Sequence, residues 1–206
     1  MVKAGKSIEE PILNRFWHLS QSPREMALTE LEYAGMRMLE AFGRWTSQGL
    51  ASGGGVDITY AEATILHIVR MQDRPKSLTT IARLLNRDDT PNIQYGLRKL
   101  SKAGLIAKTR DPARKTFLYS ATELGVRVTD AYAEIRREVL VPLTDAIESA
   151  EERMQGAADF LQIMTGLYDA AGRVAATYQQ DRPNANSRHG AAPARPGGRK
   201  ASGPSK

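Results

Sequence analysis

Residues 77–120 decide the fold, and they read SLTTIARLLNRDDTPNIQYGLRKLSKAGLIAKTRDPARKTFLYS. Ser77 is a favourable helix N-cap, and apolar residues follow it at helical spacing. These residues are Leu78, Ile81, Ala82 and Leu85. Turn-forming and charged residues then interrupt the period at positions 86–89, after which Thr90 and Pro91 fit an N-cap with proline at the first helical position. The stretch therefore predicts two short helices joined by a tight turn.

The second predicted helix has two chemically different faces. Ile93, Leu97 and Leu100 form an apolar stripe suited to packing on the first helix, and Gly96 beside the stripe would let two backbones approach closely. Asparagine, glutamine and arginine can hydrogen-bond base edges, whereas lysine suits phosphate. The opposite face carries Asn92, Gln94, Tyr95, Arg98, Lys99 and Lys102. We therefore interpret this helix as a recognition helix.

A β-hairpin is expected after the second helix. Gly104 can adopt the left-handed conformation that ends a helix. Alternating residues favour strands at 107–110 and 116–120, with a turn at 111–113 between them. The basic residues near the tip are Arg110, Arg114 and Lys115. Two helices, a tight turn and a hairpin, in this order, are the layout of a winged helix-turn-helix.

Positive charge is concentrated in this region and at the C-terminus. Residues 87–119 contain 8 basic and 3 acidic residues, and residues 181–206 contain 6 and 1. Such local charge attracts the phosphates of DNA without reading the base sequence. The alternative is that the charges only keep a hairpin soluble. The polar face of the neighbouring helix favours DNA binding.

The sequence resembles the winged-helix domain of the MarR family of bacterial transcription regulators. The resemblance in architecture covers the chain from Ala27 to Tyr178. The residues that carry it are Ile81, Ala82, Leu97, Leu100, Gly104, Leu105, Ile106, Asp111, Arg114, Ala121, Thr122 and Gly125. The last three stand where the family usually has Leu-Thr-x-x-Gly. Two departures are the short hairpin turn at residues 111–114 and the helix start at residues 91–94.

We expect a homodimeric, sequence-specific DNA-binding transcription regulator that acts as a repressor. Base contacts are expected from Asn92, Gln94, Tyr95 and Arg98. Phosphate contacts are expected from Thr90, Lys99, Lys102, Arg110, Arg114 and Lys115. The resemblance also implies release of DNA by a small, often aromatic, ligand, and the candidate pocket residues are Trp17, Trp45, Tyr60, His67 and Arg70. The alternative for the tryptophan at 45 and the histidine at 67 is a role in the core.

Long amphipathic helices are predicted on both sides of this domain. Ser22, Pro23 and Glu25 begin the first, whose apolar stripe is Leu28, Leu31, Gly35, Met38, Phe42 and Trp45. The glycine-rich residues 49–55 are predicted to end it as a flexible loop. Thr59 and Glu62 then have the capping-box spacing and begin another helix.

A further helix is predicted after Thr122, with a kink or break at Pro142. From Leu143 an apolar stripe at steps of four and three residues continues to Tyr178 and predicts one long helix. Its stripe is longer than a small winged domain could cover. We expect a homodimer interface shared with the N-terminal helices, and antiparallel packing within one chain is the alternative.

The expected fold class is mainly α with a small β-hairpin wing, a winged helix-turn-helix plus long N- and C-terminal dimerisation helices. Residues 1–57 would form an N-terminal arm and dimerisation helix, and residues 58–121 the DNA-binding domain. Residues 122–180 would form the C-terminal dimerisation helices, followed by a disordered basic tail at 181–206. The tail could add nonspecific DNA affinity or only solubility.

Composition and missing motifs narrow the functional classes. The chain has 206 residues, of which 41% are hydrophobic and 25% charged, with a net charge of +6 and no cysteine. No apolar run approaches the ~20 residues needed to span a membrane, and no export signal is apparent, so we expect a cytoplasmic protein. Neither metal-site spacing, a phosphate-binding glycine loop nor a nucleophile elbow occurs, so we expect no enzyme activity, metal or cofactor. The alternative functions are a winged-helix protein-assembly module and a nonspecific nucleic-acid binder.

Overall fold

The computed structural model of the protein describes residues 18–113 and 115–180. The chain divides into two compact units between Asp145 and Ala146. The helices of the first unit are α1 (Pro23–Gly54), α2 (Tyr60–Arg70), α3 (Leu78–Leu84), α4 (Thr90–Lys102), α5 (Glu123–Ile135) and α6 (Val141–Leu143). Its strands are β1 (Lys76–Ser77), β2 (Ile106–Asp111) and β3 (Thr116–Ala121), and the second unit contains α7 (Ala150–Gln180). The predicted fold class, mainly helical with a small β-hairpin, is confirmed.

The first helix is longer than the sequence pattern indicated. Ser22 caps it as predicted, with its hydroxyl accepting a hydrogen bond from the Glu25 N–H at 3.3 Å. The predicted loop at residues 49–55 is wrong, because α1 continues through Gly54 and ends at Gly55, where φ is 65°. The glycines in this turn permit close packing on α5: a Cβ at Gly53 would lie 2.9 Å from the Ala131 carbonyl oxygen.

The core of the first unit is built around α2. The capping box is confirmed: the Glu62 N–H donates to Thr59 Oγ1 at 3.3 Å, and the Thr59 N–H donates to Glu62 Oε2 at 2.9 Å. The buried apolar residues come from α1 to α5 and the sheet. They are Leu50, Ala63, Ile65, Leu66, Val69, Ile81, Ile93, Leu97, Leu100, Leu105, Ile106, Tyr119, Val128 and Tyr132. The apolar stripes predicted for α3 and α4 therefore contribute to this core.

A buried lysine closes the turn between α2 and β1. Lys76 is 3% exposed, and its ammonium donates hydrogen bonds to the carbonyl oxygens of Val69 and Arg74, each at 3.1 Å, and to that of Met71. Burial lowers the pKa of Lys76, and the nearby positive charge of Arg74 lowers it further. The ammonium therefore satisfies carbonyl groups at the end of α2 and in the turn that leads to β1.

The helix-turn-helix itself agrees with the predicted order but differs in two details. Ser77 caps α3, accepting a hydrogen bond from the Thr80 N–H at 3.2 Å. Thr90 is the first residue of α4 rather than its N-cap, which is Asp89 without a side-chain cap. Gly96 faces α2 instead of α3, because a Cβ there would lie 2.5 Å from Ile65 Cδ1.

The recognition helix ends in a Schellman motif. Gly104 has a φ of 72°. Its N–H donates a hydrogen bond to the Ser101 carbonyl oxygen at 3.1 Å, and the Leu105 N–H donates one to the Leu100 carbonyl oxygen at 3.0 Å. The chain then enters β2, which pairs antiparallel with β3, while β3 also pairs with β1. The predicted hairpin is confirmed, and the two-residue strand β1 is an addition that the sequence pattern did not indicate.

The C-terminal part of the chain is less regular than predicted. A π-helical turn at Arg136–Leu140 and the short α6 follow α5, so the irregularity predicted around Pro142 is confirmed. The prediction of one continuous helix from Leu143 is wrong, since α7 begins only at Ala150. Ser149 has φ of 53°, which a right-handed helix does not accommodate. In the part of the chain that the structure describes, every helix is too short or too polar to cross a lipid bilayer.

Candidate nucleic-acid interface

The outer face of α4 carries the side chains predicted to contact bases. Asn92, Gln94, Tyr95 and Arg98 are all exposed, because Ile93, Leu97 and Leu100 turn the opposite face into the core. Tyr95 lies near two cations, with the Arg98 guanidinium carbon 5.9 Å and Lys99 Nζ 5.7 Å from its ring centroid. This face therefore exposes amide, guanidinium and aromatic groups that a bound molecule could contact.

A carboxylate organises the start of α4. Arg87 Nε donates to Asp89 Oδ1 at 2.7 Å, and the Asn92 side-chain amide donates to Asp89 Oδ2 at 3.2 Å. The Arg87 guanidinium is the main reason that the pKa of Asp89 falls from 3.8 to about 2. Asn92 is therefore held at the first turn of the helix instead of rotating freely.

Two lysines of α4 differ in their surroundings. Lys99 forms an ion pair with Glu62 of α2, and the hydrogen bond to Glu62 raises the pKa of Lys99. Burial raises the pKa of Glu62, but hydrogen bonds from Lys99 and Thr59 outweigh burial and lower it overall. Lys102, by contrast, is exposed with no carboxylate within 4 Å among the described residues.

The hairpin presents a row of cations. Arg110 is exposed on β2 opposite Phe117, and Lys115 is exposed at the turn with φ of 52°. Lys108 Nζ lies 3.7 Å from the ring centroid of Phe117, a cation–π contact on the same face of the hairpin. Arg114 lies outside the described residues.

Lys108 and Phe117 were not among the predicted site residues. Strand alternation places Lys108 on the same face as Arg110, so the period of two residues could have identified it. Phe117 lies on the same face of β3 as Tyr119, because strand residues two positions apart share a face, but Phe117 is 48% exposed whereas Tyr119 is buried.

The recognition helix and the hairpin form one surface. The positive charge of Arg98 reaches Tyr119 of β3, where it lowers the tyrosine pKa, although burial has the larger effect and raises it. Leu105 and Ile106, both buried, connect the end of α4 directly to β2. Tyr119 pairs with Lys108 across the hairpin, so Arg98 lies near the hairpin face that carries Lys108 and Arg110.

The residues predicted to line a ligand pocket do not share one described cavity. Tyr60 lines a groove of about 530 Å³ along α1, and Arg70 lines a separate cavity of about 70 Å³. Trp45 packs against the core, and His67 lies 4.9 Å from the Tyr132 ring, measured between centroids. The other residues of the larger groove are Leu39, Glu40, Gly43, Arg44, Ser47 and Gln48. Trp17 lies outside the described residues.

His67 and Trp45 are nevertheless unusual core residues. Trp45 Nε1 and His67 Nε2 are buried and make no hydrogen bond with any described group. Burial lowers the pKa of His67, which favours the neutral imidazole. Within the described segments, acidic and histidine side chains form no cluster of three suited to a metal ion.

Comparison with known proteins defines the class of this domain. Residues 58–125 match the family model described as a winged helix DNA-binding domain. The matched segment contains α2, α3, α4 and the three strands, which together carry the exposed recognition face and the cationic hairpin. This part of the chain therefore has the fold of a winged-helix domain and is similar to the DNA-binding domains of that family.

Solved structures extend the comparison beyond this domain. A MarR-family transcriptional regulator from Rhodococcus sp. RHA1 is 20% identical with a TM-score of 0.54, the alignment covering 70% of this chain and 96% of that one. The regulator BldR from Sulfolobus solfataricus is 19% identical with a TM-score of 0.56, covering 68% and 98%. The MepR–DNA complex of S. aureus is 22% identical to this chain with a TM-score of 0.53, covering 66% and 95%.

The fold of this chain is that of MarR-family regulators, so the resemblance noted in the sequence is confirmed at the level of fold. No curated protein matches the sequence at a significant level.

Proposed function

We propose that the protein is a homodimeric transcription regulator that binds a specific DNA sequence. The observation that carries this proposal is the continuous surface formed by the outer face of α4 and the cationic hairpin. A helix of this kind can enter the major groove while an adjacent hairpin contacts the backbone. The bound regulator would prevent other proteins from binding the same DNA site, which is sufficient for repression.

The proposed DNA contacts divide into two kinds. Asn92, Gln94, Tyr95 and Arg98 are exposed on α4 and would read bases. Thr90 lies at the start of α4, where backbone N–H groups and the hydroxyl suit phosphate. Further phosphate contacts would come from Lys102, Lys108, Arg110, Arg114 and Lys115.

Exposed apolar side chains on α1 and α7 support the proposal that two copies of the chain form a dimer. In α1 they include Leu28, Met38, Leu39 and Phe42. In α7 one stripe of exposed side chains includes Met154, Leu161, Tyr168 and Tyr178, and an adjacent stripe includes Phe160, Ile163, Leu167 and Val174. A helix that exposes large apolar side chains along its length usually marks a protein interface. Two adjacent stripes on α7 suit packing against more than one helix.

We also propose that a small aromatic ligand binds in the groove beside Tyr60. Tyr60 is the aromatic residue that lines this groove, and its ring contacts Phe42 edge-on at 5.8 Å between ring centroids. Its lining includes Glu40 and Arg44, which could orient polar groups of a ligand. Ligand binding there would be detected as a change in DNA affinity.

Selection of binding sites from a random duplex pool tests the proposal. We expect enrichment of a near-palindrome whose half-sites lie about 10 base pairs apart, one helical turn of DNA. Binding should weaken steeply with salt and should persist when residues 181–206 are deleted. Recovery of unselected DNA would support a nonspecific nucleic-acid binder. Loss of all DNA binding with the tail would support a protein-assembly module.

A further inference from the structure

One ion pair joins the recognition helix to the helix behind it. Lys99 of α4 contacts Glu62 of α2 through Nζ and Oε1, and the side chains are 46% and 7% exposed respectively. The other oxygen of Glu62 accepts the Thr59 N–H at 2.9 Å. A carboxylate at this degree of burial needs partners for its charge, and both of its oxygens have them.

A second contact lies beside this ion pair. Gly96 precedes Lys99 by three residues, and Ile65 follows Glu62 by three residues, so each lies on the same helix face as its neighbour. A Cβ at Gly96 would lie 2.5 Å from Ile65 Cδ1, which shows how closely the two backbones approach. The two contacts are separated by about 4.5 Å along each helix. Together they define both the separation of α2 and α4 and the angle between them.

The ion pair also changes what Lys99 can do at a DNA surface. Glu62 accepts a hydrogen bond from the ammonium, which is the main reason that the pKa of Lys99 is raised, and it also supplies a counter-charge. A lysine neutralised within the protein contributes little charge to a phosphate and displaces few counterions from DNA. Lys102 and Lys115 differ, because neither has an ion pair with a described residue.

We propose that Glu62 is a positioning residue for sequence recognition, which orients α4 through Lys99 and keeps that lysine from binding the DNA backbone. The inference rests on the proposed DNA-binding function. It revises the expected phosphate-binding role of Lys99. Tyr95 and Arg98 adjoin Lys99 on α4, so the orientation fixed by the ion pair determines where their side chains meet the bases.

Four variants of the full-length protein test this inference. Glu62→Gln removes the charge but retains an oxygen that can accept the Thr59 N–H, so the capping box can persist. Lys99→Met removes the ammonium, and the double variant removes both groups. Lys102→Met is the matched control on the same helix. The affinity of each for the selected site and for a random duplex is measured between about 50 and 200 mM salt, with thermal unfolding as a check on folding.

The expected pattern differs between the two lysines. Lys102→Met makes the negative slope of log affinity against log salt shallower by about 0.9 for each subunit, whereas Lys99→Met leaves the slope unchanged. Glu62→Gln releases Lys99, so the slope becomes steeper by about 0.9 for each subunit and binding to random DNA becomes tighter. The double variant returns to the wild-type slope. All three variants of the ion pair reduce the affinity ratio between selected and random DNA by at least about fivefold.

Two results would overturn the inference. One is a salt dependence for Lys99→Met that becomes as shallow as that for Lys102→Met, since Lys99 would then bind phosphate. The other is a folded Glu62→Gln variant with the wild-type slope and affinity ratio. Failure of the wild-type protein to prefer any DNA sequence is a separate result, and it would overturn the proposed function itself.

Discussion

Arg98 and Lys115 represent the two kinds of DNA contact proposed for this surface. Replacing Arg98 by alanine should weaken binding to the selected site by about 1–3 kcal/mol and change binding to random DNA little, because a guanidinium can read a guanine edge. Lys115→Ala should weaken binding to both DNAs, because phosphate contacts do not depend on sequence. Fluorescence anisotropy with both duplexes measures the difference. Equal losses on the two DNAs for Arg98→Ala would contradict base reading.

His67 should make folding sensitive to acid. Burial lowers its pKa from 6.5, so the unfolded chain binds this proton more readily than the folded chain. The stabilising effect of the neutral imidazole is fully present above pH 6.5 and is lost as the pH falls through the lower pKa of the folded state. The free energy of unfolding in urea, measured from about pH 8 to pH 5, should therefore decrease less for His67→Gln than for the wild type.

The matched control is His18→Gln, because His18 is exposed in the folded structure. This control should follow the wild-type pH dependence. If His67→Gln loses as much stability as the wild type between these pH values, the buried imidazole is not the group responsible.

At the level of elements, the glycines of α1 should respond to substitution in opposite ways. A Cβ added at Gly35 would meet no neighbouring group within 4 Å, so Gly35→Ala should stabilise the helix by roughly 0.5–1 kcal/mol. Gly53→Ala should destabilise the protein by about 1–3 kcal/mol, because its Cβ would lie 2.9 Å from the backbone carbonyl oxygen of Ala131. Urea unfolding of both variants tests the packing of α1 on α5, and stabilisation by Gly53→Ala would contradict it.

The sequence predicted the helix-turn-helix and hairpin well because their signals are local. The periodicity of Ile93, Leu97 and Leu100, the cap at Ser77 and the stop at Gly104 each depend on residues close in the chain. The glycine-rich end of α1 misled the prediction, since glycine serves both flexible turns and close helix contacts. Only the packing of α5 distinguishes these uses.

Contacts between distant segments account for the other differences at the proposed site. The pairing of Glu62 with Lys99 joins residues of two helices, and no local pattern indicates it. The same holds for Lys76 and the carbonyl groups that it binds. Lys108 is different, because the alternation along β2 was sufficient to place it beside Arg110.

For the whole molecule, the main expectation is self-association through the exposed apolar stripes. Leu161→Asp places a charge in the stripe of α7 and should shift a dimer towards monomer, which sedimentation velocity would measure. Gln162→Asp is the matched control, since it adds the same charge beside the stripe. The first variant should also lose affinity for the full palindrome while retaining weak binding to a half-site. Equal effects of the two variants would exclude this stripe from the interface.

The buried ammonium of Lys76 has a practical consequence for chemical labelling. Reagents that acylate amines react with accessible side chains such as Lys102 and Lys115, whereas Lys76 must first leave its three carbonyl partners. Its rate of modification thus reports how often the turn after α2 opens. Mass spectrometry of acylated peptides would place that opening on a time scale, and DNA that binds the neighbouring helices should slow it.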